Sequence, residues 1–253
     1  GVNGSGNNIV SWNWKAGGGQ GSSNTDGSIN TTYTSVNTTA GFSICKWTGT
    51  GSAGTIGHGL GAVPKMIIAK RTSATRNFPI YHPALGNDKK MYLNDTQAES
   101  SSTNWNSTTP TSSVFSIGSA DDINGSGSTY IAYVFAEKTG YSKFGSYTGN
   151  GDANGAFVYT GFKPAWVIIK QSSAIRDWIM VDNKRDPDNV VSNRLFPNNS
   201  DAQNTNNNML DFTSNGFKIR NTNTTANASG GTYIYMAFGQ SLVGSNNVPC
   251  TAR

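Results

Sequence analysis

The chain has 253 residues, 35% hydrophobic and 11% aromatic but only 13% charged, with a formal net charge of +5. Asn, Ser, Thr and Gly together supply 116 residues, so solubility rests on neutral polar groups where an average domain uses about 25% charge. Glu occurs only at Glu99 and Glu137, which excludes a coiled coil or helical bundle, and 27 aromatic side chains exclude a disordered chain. The basic residues are scattered and do not specify nucleic acid, and no apolar run is long enough for a membrane helix.

In chain order, Asn8–Trp14 reads like Thr129–Phe135, and an Asn-Gly-Ser-Gly run precedes each. This predicts that residues 1–15 hold the last strand of a preceding repeat, in an array continuing N-terminally. Residues 16–40 form a Gly/Ser/Thr/Asn-rich connector in which Ile29, Thr31, Tyr33 and Ser35 alternate as an added edge strand would. Period-two, β-rich runs then predict strands at Phe42–Trp47, Lys65–Lys70, Phe78–Tyr81, Lys90–Leu93, Val114–Ile117 and Tyr130–Glu137. The last of these alternates apolar residues on both faces. Asn-Gly steps at 124, 150, 154 and 215 predict tight turns. Short helical turns are expected near Asp95–Glu99 and Ser200–Gln203.

An internal repeat organises these elements. At an offset of 100, Thr48–Gly51 matches Thr148–Gly151, and Pro64, Ile68, Lys70 and Arg76 match Pro164, Ile168, Lys170 and Arg176. The offset then drifts to 102 at Phe115/Phe217 and to 103 at Tyr130/Tyr233 and Phe135/Phe238. Ordered matches with a slow drift are what loop insertions leave in a duplicated domain. The expected fold is all-β, with two tandem jelly-roll-like β-sandwich repeats of about 100 residues. Their boundaries are 1–40 (strand of a preceding repeat plus connector), 41–140 (first repeat) and 141–253 (second repeat and C-terminal tail).

Residues that the copies share serve a shared scaffold; unshared ones are the candidates for a site. Trp105, flanked by Asn104 and Asn106, sits in a polar loop whose counterpart at Asn204–Asn208 has no aromatic. Sugars stack on such a ring while amides bond their hydroxyls; the alternative is that Trp105 plugs its loop into the core. Tyr81 and His82 form a second unshared pair, opposite Val181 and Asp182. The candidate ligand-binding residues are therefore Asn104, Trp105, Asn106, Tyr81 and His82. His58, opposite Val158 at the offset of 100, is expected to stabilise its turn, because two histidines without clustered acids or cysteines do not make a zinc site.

The carboxylates Asp121 and Asp122 are adjacent, with neither the burial nor the spacing that glycoside cleavage needs. Asp182–Asn189 resembles a calcium loop in composition but lacks its glycine and terminal Glu, and Lys184 and Arg185 within it favour a salt-bridged loop. Cys45 and Cys250 are expected as free thiols. No catalytic residue, metal or cofactor is expected, and the chain reads as a binding module.

Several motifs carry a family resemblance: Trp14–Gly18, Asp26–Ile29, Ala40–Ile44, Gly57–Pro64, Tyr141–Gly151 and Tyr233–Phe238. They resemble the repeated C-terminal domains of tail-fibre-like structural proteins of marine bacteriophages. The resemblance implies a virion appendage on the outside of the particle, a homotrimer in contact with other virion proteins. It implies a non-enzymatic role in host attachment, with surface polysaccharide, lipopolysaccharide or an outer-membrane protein as partner and no membrane insertion. The alternative it leaves is a purely structural virion protein, a capsid decoration or fibre spacer without a receptor.

Overall fold

Long strands whose two faces are both apolar need cover on both sides, and the chain is arranged to supply it. A computed structural model describes residues 4–6, 8–205 and 208–240. Its first half carries β1 (Tyr33–Asn37), β2 (Phe42–Thr48), β3 (Gly54–Gly57), β4 (Pro64–Arg71), β5 (Pro79–Tyr81), β6 (Lys89–Tyr92), β7 (Ser100–Ser101), β8 (Val114–Ile117) and β9 (Thr129–Ala136). The second carries β10 (Ser142–Thr148), β11 (Phe157–Tyr159), β12 (Pro164–Gln171), β13 (Ile179–Asp182), β14 (Leu210–Thr213), β15 (Gly216–Ile219), the single-turn helix α1 (Thr224–Asn227) and β16 (Thr232–Gly239). The result is an all-β fold of several antiparallel sheets. Their orders are β1-β2-β9-β4-β5-β6-β7, β10-β16-β12-β13, β11-β15-β14 and β3-β8.

Three apolar cores alternate with the sheets. On β4 and β9, Ile67, Ala69, Tyr130, Ala132 and Val134 point one way and share a core with Ile56, Phe115 and Ile117 of the two-stranded sheet. On β12 and β16, Val167, Ile169, Tyr233, Tyr235 and Ala237 share another with Val158, Leu210, Phe212, Phe217 and Ile219 of the three-stranded sheet. The remaining faces meet each other: Phe42, Met66, Ile80 and Phe135 pack against Phe144, Trp166, Ile168, Ile234, Met236 and Phe238. The two large sheets thus stand back to back, and period-two alternation on one strand feeds two cores.

Polar contacts tie the halves along this seam. The Trp178 indole donates to the Tyr92 carbonyl (2.9 Å), Glu99 N–H to Ser172 O (2.9 Å) and Arg176 N–H to Thr96 O (3.0 Å). Lys170, fully buried, donates to the Thr96 (3.2 Å), Gln171 (2.8 Å) and Ala174 (3.3 Å) carbonyls, and burial brings its pKa down to about 8.

Two expectations need correction. The described part of residues 1–15 forms no strand: the chain there lies outside the ladders, and Trp14 packs edge-on against Trp166 (5.1 Å) and Phe135 (6.2 Å). The pattern of a last strand is present, but among the described residues no strand pairs with it. Asp95–Glu99 and Ser200–Gln203 are irregular, and among the described residues the helical turn lies at Thr224–Asn227, where the Asn223 side chain accepts from Thr225 N–H as an N-cap. The connector does supply an edge strand, at Tyr33–Asn37 over the second part of the alternating run, paired with β2.

Candidate functional site

The predicted sugar-binding loop faces inward. Trp105 is 1% exposed and packs edge-on against Tyr81 at 5.7 Å within the first core. A ring in that position offers no face to a sugar, so the stacking role is overturned and the plugging role stands. Asn104 is also buried, its amide donating to Asp122 Oδ1 (3.1 Å) and accepting from Ser102 Oγ (2.8 Å). Asn106 is exposed at the loop tip in a left-handed conformation that Asn tolerates. Tyr81 is buried, which raises its phenol pKa, and His82 is fully buried. The His82 Nδ1 accepts from Ala84 N–H (3.2 Å), and burial lowers its pKa to about 4, leaving it neutral at pH 7. The structure therefore brings Tyr81 and Trp105 together as core and spends Asn104 and His82 on holding loops.

The other candidates are also structural. His58 Nδ1 accepts from Leu60 N–H (3.2 Å), so Nε2 carries the proton and donates to Thr111 O (3.2 Å). It holds the turn after β3, as expected. Asp121 is clasped by Arg76 and Arg71, which lower its pKa, and Asp122 accepts from Lys90 and Tyr92 (each 3.1 Å). In the Asp182–Asn189 loop, Arg185 pairs with Asp182 (2.7 Å), and Asp186 accepts from the Ser192 and Asn193 amides. Protein donors thus occupy these carboxylates. Among the described residues no group of three or more His, Cys, Asp or Glu is placed to hold a metal, and no helix is long and apolar enough to cross a membrane. Cys45 is a buried free thiol whose pKa burial raises to about 12; Cys250 lies outside the described residues.

Two buried Asn side chains lock turns, one in each half. Asn124, fully buried, accepts from Thr50 N–H (3.0 Å) and donates to Ser52 O (2.7 Å) and Gly118 O (3.0 Å). Asn227, also fully buried, accepts from Asn150 N–H (3.0 Å) and donates to Asp152 O (2.7 Å) and Asn221 O (2.8 Å). Tyr130 OH donates to Asp121 O (2.8 Å) and accepts from Gly125 N–H (2.7 Å); Tyr233 OH donates to Thr224 O (2.6 Å) and accepts from Ala228 N–H (2.8 Å). The Tyr130 ring stacks on Trp47 at 5.4 Å, and that of Tyr233 on Tyr147 at 4.9 Å.

A family model described as a domain of unknown function, DUF7483, matches residues 1–241. The chain belongs to this family. No curated protein and no solved structure matches it.

In this DUF7483 chain the large exposed apolar side chains include a pair on one strand: Phe157 is 49% and Tyr159 is 64% exposed, with Val158 buried between them. Both project from the outer face of the three-stranded sheet, and the Phe157 ring leans toward Gly216, where a Cβ would come 3.1 Å from its tip. Thr160 N–H donates to Asn215 O and Ile219 N–H to Ala156 O (both 3.0 Å). Ladder alternation then turns the Phe157 and Tyr159 N–H and C=O groups away from β15. β11 is an edge strand, and among the described residues no segment pairs with that edge.

The corresponding edge of β3 is closed. Ile29 bridges Ile56 in parallel and donates its N–H to Thr55 O (3.0 Å), Thr55 N–H donates to Ser28 Oγ (2.9 Å), and Ser28 N–H donates to Thr55 Oγ1 (2.8 Å). Gly27 makes the approach possible, since a Cβ there would collide with the Thr55 carbonyl. The sequence signal for the exposed pair was the run Phe157-Val158-Tyr159 set against Thr55-Ile56-Gly57. An offset of 100 hides it; the offset of 102 given by the pairings Ile56↔Phe115 and Val158↔Phe217 exposes it.

An apolar cleft of about 430 Å³ lies at the seam between the large sheets, lined by Trp12, Trp14, Ile44, Ile68, Met180 and Met236 among others. The Arg185 guanidinium lies over the Trp12 ring at 5.5 Å. Among the described residues its lining holds no Asp, Glu, His, Cys, Lys or Arg; Asn13 and the Tyr133 phenol are its polar members.

Proposed function

We propose that the chain is a non-enzymatic structural module of a phage virion appendage of tail-fibre type, built as two tandem copies of one β-sandwich unit. The observation that carries this is register. Phe42↔Phe135 and Ser142↔Phe238 pair equivalent strands at offsets of 100 and 103, as do Ile67↔Val134 and Val167↔Ala237. A register shift follows Pro64 in one half and Pro164 in the other. Strand orders β2-β9-β4-β5 and β10-β16-β12-β13 agree, and the turn-locking Asn and Tyr recur at matching places. A unit copied in tandem and fused back to back along an apolar seam suits a stiff, repetitive extension. The resemblance to marine phage tail-fibre-like proteins supports the setting, and the burial of Trp105 favours the structural role over a receptor-binding loop there.

A second reading, direct binding of host polysaccharide or an envelope protein, is favoured by the exposed Phe157–Tyr159 pair, because paired surface aromatics mark contact surfaces. Immunogold labelling of virions with an antibody to the chain tests the first reading: label on a tail appendage is expected, and label confined to the head contradicts it. Adsorption of the purified chain to host cells, lost in Phe157→Ala/Tyr159→Ala, would move the assignment to the second reading.

A further inference from the structure

We propose that the open edge of β11 is a docking site for an extended, Gly/Ser-rich peptide segment of a second polypeptide, bound as Asn24–Ile29 is bound to β3 within this chain. The inference goes beyond the appendage reading, because it rests on the edge alone. Thr55 and Phe157 occupy the same place in the pairings Thr55↔Ser116 and Phe157↔Lys218, at offsets of 102. The backbone of Thr55 is satisfied by Ser28 and Ile29; that of Phe157 faces outward with no partner segment among the described residues.

The cause is chain connectivity. The first half is preceded by the connector that supplies Asn24–Ile29, whereas β9 passes into β10 through residues 137–141 alone. Nothing between the halves is long enough to reach the second edge. That edge also keeps the exposed Phe157 and Tyr159 side chains in place of Thr55 and Gly57. Unpaired backbone groups beside exposed aromatic rings give a guest strand a hydrogen-bond ladder and apolar surface at once, which is the physics of β-strand addition. The guest runs parallel to β11: it donates an N–H to Phe157 O and accepts from Phe157 N–H, the second contact through a Ser hydroxyl. A small residue stands where Gly27 stands, because the guest backbone must pass close to the strand.

The test adds a synthetic peptide of the Ser22–Thr31 sequence to the full chain and follows amide hydrogen exchange residue by residue. The expected result is at least tenfold slower exchange at the Phe157 amide, and no such slowing with the same peptide N-methylated at the Ile29 position. Three results overturn the proposal: no slowing at millimolar peptide, equal slowing with the methylated peptide, or slowing confined to Thr55. Protection of Phe157 that grows with protein concentration in the absence of peptide also overturns it, since the occupant would then be a second β11.

Discussion

Replacing Asn124 or Asn227 by Ala removes three matching hydrogen bonds at each of two places in the chain, and at Asn227 also a fourth, donated to Asn150 Oδ1 (3.0 Å). Each amide accepts one backbone N–H and donates to two backbone carbonyls from a fully buried position. A net loss of about 1 kcal/mol per bond, plus about 1–3 kcal/mol for the N–H left without an acceptor, puts each substitution at roughly 4–6 kcal/mol. Asn87, whose amide reaches Thr109 on the surface, is the control, and Asn87→Ala is expected to cost less than about 0.5 kcal/mol. Guanidinium denaturation followed by tryptophan fluorescence reads all three. Asn124→Ala and Asn227→Ala should lower the midpoint by similar amounts. A cost below about 1 kcal/mol for both, or a large cost for only one, refutes the idea that both halves depend on the same lock.

Trp105→Ala should destabilise by about 3–5 kcal/mol in the same assay, as for other buried large aromatic side chains; a surface-level effect would return the residue to its loop role. The pH dependence carries two signatures. Lys170 holds fewer protons folded than unfolded between about pH 8 and 10.5, so stability rises with pH across that window, and Lys170→Met should remove the rise. His82, with its pKa brought down to about 4 from 6.5, contributes stability that is complete above pH 6.5 and lost as pH falls toward 4; His82→Gln should flatten that limb. Cys45, buried with its pKa raised to about 12, should stay unmodified by a thiol reagent at pH 8 until the chain is unfolded.

Much of this architecture is written in period-two alternation. Phe42–Thr48, Pro64–Arg71 and Thr129–Ala136 lie within a residue or so of their expected limits because apolar residues on both faces leave few other conformations. The short strands were harder. Gly54–Gly57 and Ser100–Ser101 contain residues that no propensity marks as strand, and they pair only because a partner lies alongside. Asn8–Trp14 shows the converse: a strand pattern stays unpaired where no neighbour offers a ladder.

For the site, loop composition around Trp105 could not tell which way the ring points. Ser102 donates to Asn104, whose amide in turn donates inward to Asp122 and draws the loop in. Phe157 and Tyr159 were legible in principle as unshared residues. The fixed offset of 100 concealed them, because the two pairings correspond at an offset of 102.

Residue-resolved hydrogen exchange on the isolated chain tests the central claim most directly. Matching protection is expected at equivalent buried positions such as Ile67 and Val167 or Val134 and Ala237, with divergence at Thr55, slowed by Ser28, and Phe157, which should exchange at least ten times faster. Unrelated protection patterns in the two halves, or a Phe157 amide as slow as that of Thr55, would contradict a scaffold used twice and left open at one edge.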